Sequence, residues 1–175
     1  MNYLVENSGK SKKQNVLNCG NTARIVDIFS IFHDGTIENW SGNKKRLTLK
    51  IGCQYLAARI NPEFEYFYVD ILDIKAIELD TYRNETDKTP IVINEIDKIF
   101  CEKIDIYYAK TEKQFVEINC WQVNEKLGYV ANSLRICCGS ADVFNQNREQ
   151  ITFSNFAKIS DDYWNDFRNR NENNK

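Results

Sequence analysis

A chain of 175 residues has the length of one domain and can bury a real core. Hydrophobic residues at 42% and aromatics at 13% exclude a chain disordered along its whole length. A formal net charge of -2, from 23 basic and 25 acidic residues, excludes the overall basic surplus on which duplex binding rests, so no nucleic-acid partner is expected.

In chain order, residues 1–14 are polar and lack the apolar core of a secretory signal, and residues 1–18 are expected to form a flexible N-terminal tail. No run approaches the roughly 18 apolar residues of a membrane span, so no membrane contact is expected and the location is read as cytoplasmic. A helix fits residues 22–32. Asn21 can cap it, and Ile25, Ile28, Phe29 and Phe32 fall on one face. Thr36 to Trp40 then reads as a short strand, and Ser41-Gly42-Asn43-Lys44 as a turn that absorbs the basic run Lys44-Lys45-Arg46. Leu47, Leu49, Ile51, Cys53 and Tyr55 alternate with Thr48, Lys50, Gly52 and Gln54, which predicts a long half-buried strand with Thr48 and Lys50 exposed.

Residues 64–82 change parity part-way: Phe67, Val69 and Ile71 share one face, Leu72, Ile74 and Ala76 the other, and Ile77 with Leu79 revert. Such a switch predicts bulges or two strands. A polar loop follows at 83–90, then a segment at 91–100 that fits either strand or short helix. Strands are predicted around Ile104–Tyr108, Val116–Cys120 and Leu134–Cys138, with Val143-Phe144 before a turn at 145–148. The last element is a helix from Asn155, with Ser154 as cap and Phe156, Ile159, Tyr163 and Phe167 as its apolar stripe, open to a break at Ser160-Asp161-Asp162. These elements predict an α+β fold: one domain over residues 19–168, a mainly antiparallel twisted sheet of about six to eight strands, helices near both ends, and a flexible tail at 169–175.

No phosphate-binding glycine loop, Cys-x-x-Cys pair or cofactor motif is present, and no cofactor is expected. Cys53, Cys120 and Cys138 continue apolar faces, so all six cysteines are expected to be reduced, with Cys138 in the core and Cys137 exposed. Glu78 and Asp80 share a strand face that suits a hard cation or a basic partner, but equally a solvated face; no loop resembles a calcium site, and no metal is expected. The single histidine, His33, stands in Phe32-His33-Asp34-Gly35 where helix passes to strand. His33 and Asp34 can form an acid–base pair, or can serve with Gly35 as a structural junction that satisfies backbone groups. No nucleophile sits in a recognisable elbow, so no catalytic residue is assigned.

The aromatic residues exceed what one buried face can hold. Where Phe67 points inward, Tyr66 and Tyr68 point outward, and Tyr107 does so beside Tyr108. Exposed tyrosines next to acids are typical of protein-binding surfaces, so Tyr66, Tyr68, Asp70, Asp73 and Tyr107 are the candidate binding residues. A second apolar face covered by helices accounts for the same pattern.

The junction Ile31-Phe32-His33-Asp34-Gly35-Thr36-Ile37, leading to a second strand Leu47-Thr48-Leu49-Lys50-Ile51, resembles a pattern in small bacterial proteins. These are uncharacterised families and immunity proteins of polymorphic toxin systems, in which Phe-His-Asp-(Ala/Gly)-x-Ile precedes the first strand. This chain lacks the Trp-Pro often found just before that motif. The resemblance implies a non-enzymatic cytoplasmic protein that neutralises a cognate toxin by surface binding. Two alternatives remain open: an intracellular small-molecule-binding module with its ligand between sheet and helix, and a hydrolase or lyase using His33 and a carboxylate.

Overall fold

The helix after Asn21 forms as α1 (Thr22–Ile31), and the Asn21 side chain accepts a hydrogen bond from the Arg24 N–H at 3.1 Å. The computed structural model describes residues 19–84 and 86–172, so the expected tail at 1–18 and residues 173–175 lie outside it. The alternating segment becomes the hairpin β1 (Thr36–Gly42) and β2 (Arg46–Gly52), with Leu47, Leu49 and Ile51 fully buried. Thr48 and Lys50, expected to be exposed, are half-buried, because neighbouring side chains cover the outer face as well. At the turn Gly42 has φ +105, and a Cβ there would stand 2.1 Å from the Arg46 carbonyl, so only glycine fits. The strand stops at Gly52. Tyr55 lies instead on a one-turn helix, α2 (Gln54–Ala57).

The parity switch resolves into two strands, β3 (Tyr66–Leu72) and β4 (Ala76–Tyr82), separated by a bend in which Asp73 has φ 52. The ambiguous segment supplies both elements, β5 (Ile91–Ile93) and a one-turn α3 (Ile96–Ile99). Then follow β6 (Ile104–Glu112), β7 (Phe115–Asn124), β8 (Tyr129–Cys137), β9 (Ser140–Phe144) and β10 (Gln150–Ile151). The chain ends on α4 (Phe153–Glu172), which runs unbroken through Ser160-Asp161-Asp162 and past Asn169, where the domain was expected to end. Thr152, not Ser154, caps it: its hydroxyl accepts from the Asn155 N–H at 3.3 Å.

Among the described residues there are ten strands in one antiparallel sheet, more than the six to eight expected. The two shortest, β5 and β10, span three and two residues, too few for period two to be visible. In the order β10-β9-β3-β2-β1-β6-β7-β8-β4-β5, β3 and β4 lie six places apart although only residues 73–75 join them, and β8 and β9 are equally separated. The two facts agree because each pair is one long strand bent at a common corner. Leu72 faces Ser140 before the bend and Ala76 faces Cys137 after it. The Gly139 N–H to Leu72 carbonyl bond at 2.9 Å and the Lys75 N–H to Cys137 carbonyl bond at 2.8 Å carry the pairing through. The sheet is thereby wrapped on itself, and β3, β2, β1, β6, β7 and β8 make a circuit closed at the bend.

The inner face holds one apolar cluster, which includes Leu49, Ile51, Val69, Ile118 and Leu134, with Ile28, Phe29 and Phe32 from α1 and its end. Phe156 of α4 packs on Phe32 and Phe67, with ring centroids 4.9 and 5.4 Å away, and pins the long helix to the sheet. Among the described residues no helix is long and apolar enough to cross a membrane.

The cysteines correct the expectation of a fully reduced chain. Cys19 and Cys137 form a disulfide, with Cα atoms 5.3 Å apart. Cys137 is buried and bonded, not exposed, and the exposed free thiol is Cys101. Cys138 lies in the core as expected. The bridge draws the chain before α1 onto the bend, where the Gly20 N–H bonds the Cys138 carbonyl at 2.7 Å. A Cβ on Gly20 would meet the Gly139 carbonyl oxygen at 1.7 Å, so two backbones touch at this corner.

Candidate functional site

On β3 the outward residues are Tyr66, Tyr68 and Asp70, interleaved with buried Phe67, Val69 and Ile71. Pairing to β2 sets Gly52, Lys50 and Thr48 opposite them, and pairing to β9 sets Phe144 and Asp142 opposite Tyr68 and Asp70. The two tyrosine rings meet edge to face, centroids 5.3 Å apart. Lys50 Nζ stands 4.0 Å over the Tyr66 ring, and the Arg148 guanidinium carbon 3.4 Å over the Tyr68 ring. Both are cation–π contacts that hold the rings upright. Lys50 is also bonded to Glu38 at 2.9 Å, and this hydrogen bond raises its pKa. The Tyr66 hydroxyl is pushed up as well, first through its hydrogen bond with Tyr68.

Asp70 belongs to the outer face, yet it is only 1% exposed, because its neighbours fold over it. Arg46 donates to it through Nε at 3.1 Å and through Nη2, and Thr48 donates its hydroxyl. Arg148 Nη1 lies 3.9 Å from the other Asp70 oxygen, close enough for Coulomb attraction but too far for a hydrogen bond. Arg148 comes from the β9–β10 turn, where buried Asn145 accepts the N–H groups of Asn147 and Glu149 and donates to the Glu149 carboxylate. That scaffold keeps Arg148 at φ 66, a left-handed conformation that non-glycine residues seldom adopt. Tyr66, Tyr68, Lys50 and Arg148 form a rigid aromatic–cationic platform.

The other candidates lie elsewhere. Asp73 sits at the bend, where an aspartate tolerates positive φ, and is no part of the platform. Tyr107 is on β6, the extra residue of a bulge between Ile106 and Tyr108, and the residue is 41% exposed. Its carbonyl meets His33 Nδ1. Around that contact the Asp34 N–H bonds the Ile106 carbonyl at 3.0 Å, and the Ile106 N–H bonds the Gly35 carbonyl at 2.8 Å. Tyr55 donates its hydroxyl to the His33 carbonyl, the ring of Trp164 on α4 lies tilted to the imidazole with centroids 6.4 Å apart, and an Asp34 carboxylate oxygen lies 3.3 Å from Nε2. In this geometry His33, Asp34 and Gly35 tie α1 and β1 to the β6 edge. The Cys53 thiol, beyond the junction and interacting with Asp34 and Tyr55, is pushed up to about 11 by burial, which leaves it protonated and a poor nucleophile near neutral pH.

Sequence reasoning missed Arg46, Lys50, Arg148 and Trp164. The outward parity of Lys50 was visible; the other three reach their places only through strand and helix pairings that no local pattern encodes. Elsewhere, an open cavity of about 400 Å³ is lined by Tyr82, Asp87, Lys88, Trp121, Val130 and Asn132. Among the described residues no group of three His, Cys, Asp or Glu side chains is placed to hold a metal ion. Comparison with family models, with curated proteins and with solved structures finds no match.

Proposed function

We propose that this chain is a non-enzymatic binding protein whose working surface is the outer face of β2, β3 and β9. One observation carries the reading: Tyr66 and Tyr68 are held upright by Lys50 and Arg148 above a buried, fully bonded Asp70. Rigid aromatics lose little entropy on contact, and with arginine they dominate the energetics of protein interfaces. Tyr107 with the adjacent Tyr108, both exposed on β6, forms a separate aromatic margin, which a large partner would also cover.

The partner class comes from the junction motif Phe32-His33-Asp34-Gly35-Thr36-Ile37: a cognate toxin, neutralised by occlusion. A cytoplasmic site of action requires the Cys19–Cys137 bridge to be open in the cell, since glutathione and thioredoxin keep cytosolic thiols reduced. Alkylating thiols at lysis, before any air oxidation, reads the state of the bridge directly. The platform is tested by co-purifying the full chain with its partner from the native host. Tyr68→Ala and Tyr66→Ala should keep the wild-type melting temperature to within a few degrees while partner affinity falls about 30-fold, as a hot spot of about 2 kcal/mol implies. Unchanged affinity in both variants would refute the platform. A second reading, small-molecule binding, is favoured by the cavity between Tyr82 and Trp121, and Trp121→Ala separates the two because it lies off the platform.

A further inference from the structure

We propose that the cleft beside Tyr68 is an anion site that receives a carboxylate side chain from an acidic segment of the partner protein; the inference rests on the surface-binding reading above. The cleft has a volume of about 140 Å³ and is lined by Asn39, Ser41, Thr48, Lys50, Tyr68 and Arg148, with the Trp40 backbone strand at its side. That lining holds two cations and no acid. The carboxylates around it have partners of their own: Glu38 pairs with Lys50, Asp70 with Arg46, Thr48 and, at 3.9 Å, Arg148, and Asp142 on β9 accepts from Gln150 at 3.2 Å.

Arg148 is what makes the cleft a site. Among the described residues its side chain makes no hydrogen bond, although it is half-exposed and fixed over Tyr68 at 3.4 Å. Stacking occupies the face of the guanidinium and Nη1 leans toward Asp70 at 3.9 Å, which leaves the Nε–Nη2 edge to grip a planar carboxylate in a two-pronged pair. Its φ of 66 costs conformational energy that a glycine would not incur, and the Asn145 scaffold sustains that conformation. The Asn39 amide oxygen accepts from the Trp40 N–H at 2.7 Å, which leaves its NH₂ as a further donor. The volume suits a carboxylate with its methylene stem and falls below the roughly 300 Å³ at which small-molecule pockets begin. An anion presented on a protein surface therefore fits better than a free metabolite, and the cleft opens onto the tyrosine platform.

The test uses the full chain and an acetylated, amidated hexaglutamate peptide, with hexaglutamine and inorganic phosphate as controls, followed by NMR. Hexaglutamate should shift the Arg148 Nε–H and Tyr68 ring signals first and saturably, and hexaglutamine should not. Arg148→Gly relieves the positive φ, which offsets the loss of the 3.9 Å attraction to Asp70 and the contact with Tyr68, so it should melt within a few degrees of the parent while weakening the peptide by about tenfold or more. Lys44→Gln with Lys45→Gln should change affinity by less than about twofold. Binding that survives Arg148→Gly, or that maps to Lys44 and Lys45, overturns the inference. Phosphate binding more tightly than hexaglutamate at the same signals overturns the carboxylate assignment. These failures leave the platform standing, because its own test rests on Tyr66 and Tyr68 with the partner. A positive peptide result with a partner indifferent to Tyr66→Ala and Tyr68→Ala overturns the assignment of the carboxylate to that partner.

Discussion

The outer face of the bent strand pair carries one motif twice, with the charges inverted. On the β3–β9 side a single buried acid, Asp70, is surrounded by Arg46, Thr48 and Arg148. On the β4–β8 side a single arginine, Arg135, is held between Glu78 at 2.9 Å and Asp80 at 2.8 Å, with its guanidinium carbon 5.8 Å from the centre of the Phe115 ring. The first arrangement is saturated at its centre and leaves surplus cation pointing outward. The second leaves surplus acid outward, and its centre is not saturated: Arg135 Nε and Ser133 Oγ are buried with no hydrogen-bond partner. An ion cluster with a buried, satisfied core serves as a rigid floor for a binding surface. One with unmet donors at its centre does not, which is why the tyrosines beside Asp70, and not the carboxylates beside Arg135, form the better candidate surface.

The largest expected effect attacks the saturated cluster. Arg46→Ala leaves the Asp70 charge buried with one hydrogen bond, from Thr48, and with Arg148 only at 3.9 Å, and should cost about 3 kcal/mol in urea denaturation, because a poorly paired buried charge is expensive. A loss below about 1 kcal/mol would show that Arg148 can take over, and the contrast between the two clusters would collapse. Next comes the corner that joins them. Cys19→Ser removes a bridge spanning 118 residues and should lower stability by about 2–4 kcal/mol. Reductant should do the same to the parent and nothing to the variant; a parent insensitive to reductant would mean that the bridge does not hold the corner. Arg135→Ala should cost only about 1 kcal/mol, since Glu78 and Asp80 are partly exposed and an unmet donor is removed with the side chain.

The smallest effect concerns neither cluster and serves as a baseline for both. Burial raises the thiols of Cys53 and Cys138 to about 11 and that of Cys120 to about 12, from an ordinary value of 9.0. Raised folded-state values favour the protonated thiol in the folded chain. Their contribution is therefore complete below pH 9.0 and is lost as pH rises from there through 11 to 12. Cys53→Ala should flatten that alkaline decline in urea midpoints without altering the difference between Arg46→Ala and Arg135→Ala.

Which way a residue points was legible in the sequence; which residue stands opposite it was not. Period two placed Leu49 and Ile51 inward, and the parity change after Ile71 marked the place where β3 becomes β4. The same parity put Tyr66 and Tyr68 on the outer face together. It could not show that Arg148 lies over Tyr68, because that contact needs β9 to pair with β3 across 76 residues, from Tyr68 to Phe144. The Cys19–Cys137 bridge was hidden for the same reason: each cysteine has an innocuous local setting, and only the corner unites them. Residue type alone sets Tyr107 and Asp73 beside Tyr66, Tyr68 and Asp70 as candidates, while the pairing order puts β1 and β2 between Tyr107 and β3, and Asp73 lies at the bend.

The bent pair also bears on how quickly the molecule assembles. Its partners stand between 48 residues apart, at Tyr82 and Val130, and 76 apart, at Tyr68 and Phe144. The β1–β2 and β6–β7 hairpins involve near neighbours and can form on the microsecond scale of isolated hairpins. Bringing the two long strands together requires closing a much larger loop, the feature that slows sheets dominated by non-local contacts to milliseconds or longer. Until then Lys50 has Tyr66 and Tyr68 within reach across β2 and β3, but Arg148 has no ring to rest on. The Arg148–Tyr68 contact therefore forms only after β9 has paired with β3. In refolding, the signals of Tyr68 and Arg148 should settle later than those of the two hairpins, by the time the corner takes to close.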